Sequence, residues 1–187
     1  GKTESFLLPV LARIFMEARA WPAARPPSLD RWWKDTEGDK DWERQRSHET
    51  REPAIRAVFL YPTNALVEDQ IVRLRKALSP DGPINGSLGT NQIYFGRYTS
   101  ATWGEGAVPK GSQAFNKQKR RRAVRRLLDS ENVWTRTSDL VSNGEPAEIL
   151  FEVPKPDGPE MLTRWDMQID PPDILITNYS MLNVMLQ

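Results

Sequence analysis

The chain has no cysteine and a single histidine, His48, among its 187 residues. Without thiols there is no disulfide framework, cysteine nucleophile, thiolate zinc site or iron–sulfur cluster, and one imidazole cannot build a zinc site that needs several. A Ser-His-Asp hydrolase needs only one histidine, but no partner motif accompanies His48 in its polar surroundings, so it is given no catalytic role. Long apolar runs are missing too. None approaches the roughly 18 residues of a membrane span, and the first residues lack the basic region, apolar core and small-residue cleavage site of a signal peptide. A soluble, cytoplasmic protein with no membrane partner is expected. Charge of one sign is also scarce: 26 Lys and Arg stand against 25 Asp and Glu, a formal net charge of +1. Whole-chain charge therefore argues neither for nor against a nucleic-acid partner, and only local patches carry information.

The hydrophobic share of 39% and mean hydropathy of −0.61 fit one folded domain with polar insertions. Gly1-Lys2-Thr3 runs straight into Phe6, Leu7, Leu8, Val10, Leu11, Ile14 and Phe15, a pattern too dense for a surface helix and suited to burial against a sheet. Pro9 is tolerable there because the first helical N–H groups have no intrahelical partner. Residues 17–53 turn to charge, proline and tryptophan without a sustained period, and read as an insertion. Residues 55–61 (IRAVFLY) predict a fully buried parallel strand ended by Pro62. Thr63 or Asn64 can then cap an amphipathic helix with Leu66, Val67, Gln70, Ile71, Leu74 and Leu78 on one stripe and Arg73, Arg75 and Lys76 off it. After a loop at 79–90, the pattern predicts a strand within 92–98, a basic helix over 113–129, and a polar stretch with a candidate strand at 148–153. Residues 173–177 (DILIT) form the clearest buried strand, followed by a terminal helix that Asn178 can cap. Alternating helices and non-alternating strands predict an α/β sheet covered on both faces, with ligands at the strands' C-terminal ends. Those ends are the one feeding Gly1, the turn at 61–64 and the turn at 177–179.

Gly1-Lys2-Thr3 matches the last third of the phosphate-loop pattern. In that pattern glycine backbone N–H groups wrap phosphates, the lysine neutralises the β and γ oxygens, and the hydroxyl binds magnesium. On these residues alone, a phosphate-loop kinase, a nucleotide-dependent switch and a non-catalytic partner-recruiting module all remain open. The wider sequence is more specific. GKTESFLLPVL resembles the motif I helix of the first RecA-like domain of superfamily 2 helicases, AVFLYPTNALVEDQ (57–70) resembles motif Ia, and ILITNYSML (174–182) resembles motif Ib, in the order that family has them. The YPTNAL and ITNY forms look closer to bacterial DExH DNA helicases of phage-defence or DNA-repair type than to DEAD-box RNA remodellers.

This resemblance implies a three-layer, RecA-like phosphate-loop α/β domain, incomplete within residues 1–187, with insertions at 17–53 and 100–170. It implies an ATP-dependent helicase or translocase using ATP and magnesium. Lys2 and Thr3 would act in catalysis, Gly1, Lys2, Thr3 and Glu4 would bind the nucleotide, and Thr3 would hold the magnesium ion. Pro62, Thr63, Asn64, Gly96, Thr177 and Asn178 would contact the backbone of a single nucleic-acid strand, DNA being favoured, although Asn64 and Asn178 can equally be helix caps only. It also implies an Asp-Glu motif and a second RecA-like domain downstream, so residues 1–187 alone are expected to hydrolyse no ATP. Ser100-Ala101-Thr102 spells the family's motif III but precedes motif Ib, and is read as coincidence.

Three features fall outside those motifs. Residues 117–126 (KQKRRRAVRR) hold seven basic residues in ten, a local positive patch that can grip phosphate, face solvent or meet an acidic protein partner. Trp21, Trp32, Trp33 and Trp42 can form a satellite core, stack on bases or dock a partner protein, the first being favoured. Asp35, Glu37, Asp39 and Asp41 mimic a calcium loop, but Lys40 and Arg46 occupy its glycine and bidentate-glutamate positions, so the cluster reads as a solvated face.

Overall fold

The computed structural model describes residues 4–26, 33 and 40–185. Helix α1 (Glu4–Ala18) is followed, after a long irregular segment, by strand β1 (Ala57–Tyr61), helix α2 (Asn64–Ala77) and strand β2 (Phe95–Tyr98). Helix α3 (Ala114–Ser142), strand β3 (Glu160–Met161), helix α4 (Arg164–Ile169), strand β4 (Ile174–Asn178) and helix α5 (Tyr179–Met185) complete the order. The four strands form one sheet in the order β1-β4-β2-β3, every pair parallel. This is the α/β arrangement expected from the alternation of elements, and it agrees with a RecA-like sheet. Among the described residues no helix is long and apolar enough to cross a membrane.

The alternation of side chains along β4 and β2 divides the core into two. Ile174 and Ile176 of β4 and Phe95 of β2 face Leu7, Leu11, Ile14 and Ala18 of α1 and Val67, Ile71 and Leu74 of α2. Leu175 turns the other way, with Tyr94, Met161 and Met167 of α4. Over α4 lies a second apolar cluster of Trp42, Trp165, Ala123, Val124 and Leu127, in which Trp42 and Trp165 meet edge to face at 4.9 Å. Trp42 thus belongs to a satellite core, as favoured above, whereas Trp32 lies outside the described residues.

The structure corrects several expectations. β1 is half-exposed rather than fully buried, because among the described strands it pairs only with β4 and Val58 faces outward. Phe6, Leu8 and Met16 of α1 are exposed, so only one stripe of that dense helix packs on the sheet. Pro9 is the sixth residue of α1 and faces solvent. Helix α3 runs thirteen residues past the expected Asp129, and residues 147–152 form a 3-10 turn instead of a strand. Arg75, expected off the buried stripe, forms a two-pronged ion pair with buried Glu160 of β3 at 2.6 and 3.0 Å.

The segment 42–56 is tied into the sheet rather than solvated. Arg46 and Glu49 are an almost fully buried ion pair at 2.6 Å, and Arg51 reaches Glu49 at 3.1 Å. Asp173, fully buried at the start of β4, accepts from Arg51 through both carboxylate oxygens, from Arg56 and from the Tyr94 backbone N–H, all at 2.7–2.8 Å. Arg51 also stacks 3.5 Å above the Trp21 ring. Of the calcium-loop mimic, Asp35, Glu37 and Asp39 lie outside the described residues. Asp41 accepts from the Gly111 N–H and pairs with Arg120. His48 is half-buried, and burial lowers its pKa, with neighbouring Glu49 opposing.

Candidate nucleic-acid interface

Gly1, Lys2 and Thr3 lie outside the described residues, and Glu4 opens α1. Of the remaining candidates, Pro62, Thr63, Asn64 and Asn178 cluster where the parallel strands end. Register pairs Tyr61 with Asn178, so the β1–α2 and β4–α5 turns stand side by side at the sheet's C-terminal edge. Residues separated by 114 positions in the chain meet there: the Asn178 side-chain amide donates to Asn64 Oδ1 at 2.6 Å. The Met181 backbone N–H donates to Asn178 Oδ1 at 2.8 Å, so Asn178 caps α5 as expected. The cap fixes which way the Asn178 amide points, and the contact with Asn64 then directs the Asn64 NH₂ group away from the clasp.

Pro62, Thr63 and Asn64 are all exposed. Thr63 occupies the N-cap position of α2 in extended conformation, but its hydroxyl makes no capping hydrogen bond. The first turn of α2 carries no acidic residue, so its unpaired N–H groups present an uncancelled partial positive charge. Thr63 Oγ1, the Asn64 amide and this helix end form a donor-rich lip suited to phosphate oxygens. Tyr179 sits on the adjacent turn with its side chain more than half exposed, a flat surface beside the lip. The sequence motif contained Tyr179, but its exposure depends on where α5 packs, which no local pattern reveals.

Two expected contacts are placed elsewhere. Thr177 is fully buried, and its hydroxyl donates to the Tyr98 carbonyl at 2.7 Å, clamping β4 to β2. Its oxygen is committed to the sheet, so it cannot grip a strand from this position. Gly96 lies inside β2, where a Cβ would stand 2.7 Å from Met167 Sδ and 3.3 Å from the Met161 carbonyl oxygen. The glycine is needed for α4 to approach the sheet, and its position gives no access to the edge. Thr102 closes the turn after β2, donating to the Arg97 carbonyl at 2.8 Å and accepting the Thr99 N–H at 3.0 Å. Thr177→Val is expected to cost about 1–2 kcal/mol, by leaving the Tyr98 carbonyl without its partner, while leaving nucleic-acid affinity unchanged. Urea unfolding beside a binding titration separates the two.

Comparison with known proteins finds a distant similarity. The whole chain aligns, at 28% identity over 219 positions, with the Druantia protein DruE of Escherichia coli (strain UMEA 4076-1). The chain spans about a tenth of that protein's length. No family model matches the chain, and no solved structure matches it.

Proposed function

We propose that this chain is part of an ATP-dependent superfamily 2 helicase or translocase acting on nucleic acid, DNA being favoured. The observation that carries the reading is the clasped pair of turns. The two segments resembling motifs Ia and Ib, more than a hundred residues apart, meet through Asn64 and Asn178 at the C-terminal edge of a parallel sheet. Such an edge is where open α/β sheets bind ligands. The distant similarity to DruE of Escherichia coli supports the bacterial setting that the motif style suggested.

The surface residues would act on the strand through its backbone. Thr63 Oγ1, the Asn64 NH₂ group and the N–H groups opening α2 donate to phosphate oxygens, so the lip holds a strand without reading its sequence. Tyr179 offers a ring on which one base can stack, worth about 1–3 kcal/mol and tolerant of base identity. Asn178 is a positioning residue, since its amide joins the two turns. ATP with magnesium would supply the free energy for movement when bound through Gly1, Lys2, Thr3 and Glu4. Lys2 would place a positive charge at the β and γ phosphates, and Thr3 would offer the metal a hydroxyl. A second RecA-like domain, contributed by further chain, would close on this one and alter the grip at the lip.

The test is ATP hydrolysis by the intact protein with and without single-stranded DNA or RNA. Strand-stimulated hydrolysis, at least about 100-fold lower in Lys2→Ala, is the expected result. Thr63→Ala combined with Tyr179→Ala should raise the strand concentration needed for half-maximal stimulation about tenfold or more, with little change at saturation. Hydrolysis indifferent to either nucleic acid would overturn the reading.

A further inference from the structure

Helix α3 contains the strongest local charge in the chain, and its placement gives that charge a direction. From Gly106 to Leu128 the sequence has eight Lys or Arg and no Asp or Glu. One of the eight is used internally: Arg120 is fully buried and donates to the Pro109 and Gly111 carbonyls at 3.1 and 3.0 Å. Ala123, Val124 and Leu127 share its inward face. Arg122, Arg125 and Arg126 lie on the opposite, exposed face, within one helical turn of one another.

Contacts at its two ends orient the helix. Arg126 lies over the ring of Trp103, in the loop just beyond the C-terminal end of β2, at 5.7 Å. Further along, Ser130 approaches the Pro154 carbonyl and Trp134 stacks under Lys155, both before the start of β3. α3 therefore runs opposite to the strands, and its arginine-bearing half stands at the same edge of the sheet as Thr63, Asn64 and Asn178. Between them lie Tyr98, at the end of β2, and Arg164, which stacks on the Tyr98 ring at 5.2 Å and donates to the Thr99 carbonyl at 2.7 Å. Tyr98 and Arg164 thus put an aromatic ring and a guanidinium between the clasp and α3.

We infer that the exposed stripe Arg122, Arg125 and Arg126 is a second nucleic-acid contact, which holds the phosphate backbone of the same strand after it leaves the clasped turns. The inference rests on the reading of the clasp as a strand-binding lip and extends it. α4 separates α3 from the sheet, so the stripe stands two packed layers away, on the order of 20 Å from the clasp. A strand stacked at the helical rise of about 3.4 Å per nucleotide covers that distance in about six nucleotides. Guanidinium groups one helical turn apart can each engage a phosphate of a passing strand, and Trp103 beneath Arg126 places an aromatic surface beside that path.

Length dependence separates this contact from the clasp. Fluorescence anisotropy would measure binding of labelled oligo-dT of six and of twenty nucleotides to the intact protein over a range of salt concentrations. Arg122→Glu/Arg125→Glu is compared with Arg13→Glu/Arg136→Glu, which changes net charge equally at exposed positions elsewhere. The α3 variant should bind the 20-mer about tenfold more weakly, with the log–log salt slope reduced by about 1.4 for two lost phosphate contacts. Binding of the 6-mer should stay within about twofold, and the control should behave as wild type on both. Equal losses on the two lengths, equal losses in the control, or unchanged 20-mer binding would each overturn the inference. So would loss of binding to poly-glutamate with oligonucleotide binding intact, which would make α3 a docking site for an acidic protein. If Thr63→Ala/Tyr179→Ala leaves 6-mer binding unchanged while the α3 variant weakens the 20-mer, the clasp reading fails and the α3 contact stands.

Discussion

Replacing Asp173 with alanine is expected to lower the unfolding free energy by about 3–5 kcal/mol, the cost of leaving a buried charge without its partner. Asp173 is fully buried and neutralises two guanidinium groups: Arg51 sits on it in a two-pronged contact and Arg56 adds a third hydrogen bond. Its second oxygen also takes the Tyr94 backbone N–H at 2.8 Å, which has no other route to an acceptor once it is buried beneath the sheet. Alanine would leave buried Arg51, whose side chain is only 4% exposed, with Glu49 as its one carboxylate, already shared with Arg46, and orphan an amide at the entry to β2. Asparagine keeps an acceptor for Tyr94 but loses the charge, so Asp173→Asn should fall between alanine and wild type. Urea unfolding monitored by tryptophan fluorescence reads this directly, because Trp21 lies 3.5 Å under Arg51. A loss below about 1 kcal/mol in the alanine variant would show that the arginines find other partners.

The second large effect is a pH dependence carried by Asp166. Burial pushes its carboxyl up to about 6 from an ordinary value of 3.8, against the Thr163 hydroxyl and the Trp42 indole N–H, which favour the ionised form; the charge of nearby Asp170 adds to the rise. A carboxyl whose folded pKa lies above its unfolded value binds its proton more tightly when folded. Its contribution therefore increases as pH falls from 6 toward 3.8, is complete below 3.8, and is lost as pH rises through 6. The shift corresponds to about 3 kcal/mol. Asp166→Asn keeps an acceptor for Trp42 and cannot titrate. The difference in unfolding free energy between wild type and this variant should therefore move toward wild type by about 2–3 kcal/mol between pH 7 and pH 4. A difference that stays flat across that interval would mean that Asp166 is ionised throughout, its two donors outweighing burial.

The parts of the fold that were legible in the sequence are those specified by neighbours along the chain. Residues 173–177 read as a buried strand because Ile174, Leu175 and Ile176 run apolar without alternation, and β4, flanked by strands on both sides, has just that environment. β1 carries the same kind of sequence yet is half-exposed, since burial depends on what stands beside a strand and not on its own residues. Asn178 was recognisable as a cap because capping is local. Thr177, one residue earlier, resembled a strand-gripping hydroxyl, but its partner is a carbonyl 79 positions away, and pairing at that range leaves no periodic trace. The polar stretch 42–53 looked like part of a solvated insertion because it is charged; Arg46 is in fact buried against Glu49, and Arg51 against Asp173, 122 positions downstream. Gly96 invited a functional role because the family motif has a glycine there, while the structure shows a packing role against Met167.

The strand order also fixes when this sheet can come into being. β1 and β2 do not pair with each other; each pairs with β4, the last of the described strands, which also begins at the carboxylate that anchors Arg51 and Arg56. As the polypeptide leaves the ribosome, β1 has no partner among the described strands until residues 173–178 emerge, and β2 has only the two-residue β3. Until then they hold apolar surface and open strand edges in a state that can associate with other chains. The pairings that join β1 and β2 to β4 close over roughly 80 to 120 positions, and parallel pairing at such range slows folding. In a nascent chain stalled before residue 173, residues 57–98 should remain protease-sensitive, and one stalled with residue 178 well clear of the exit tunnel should protect them in a single step.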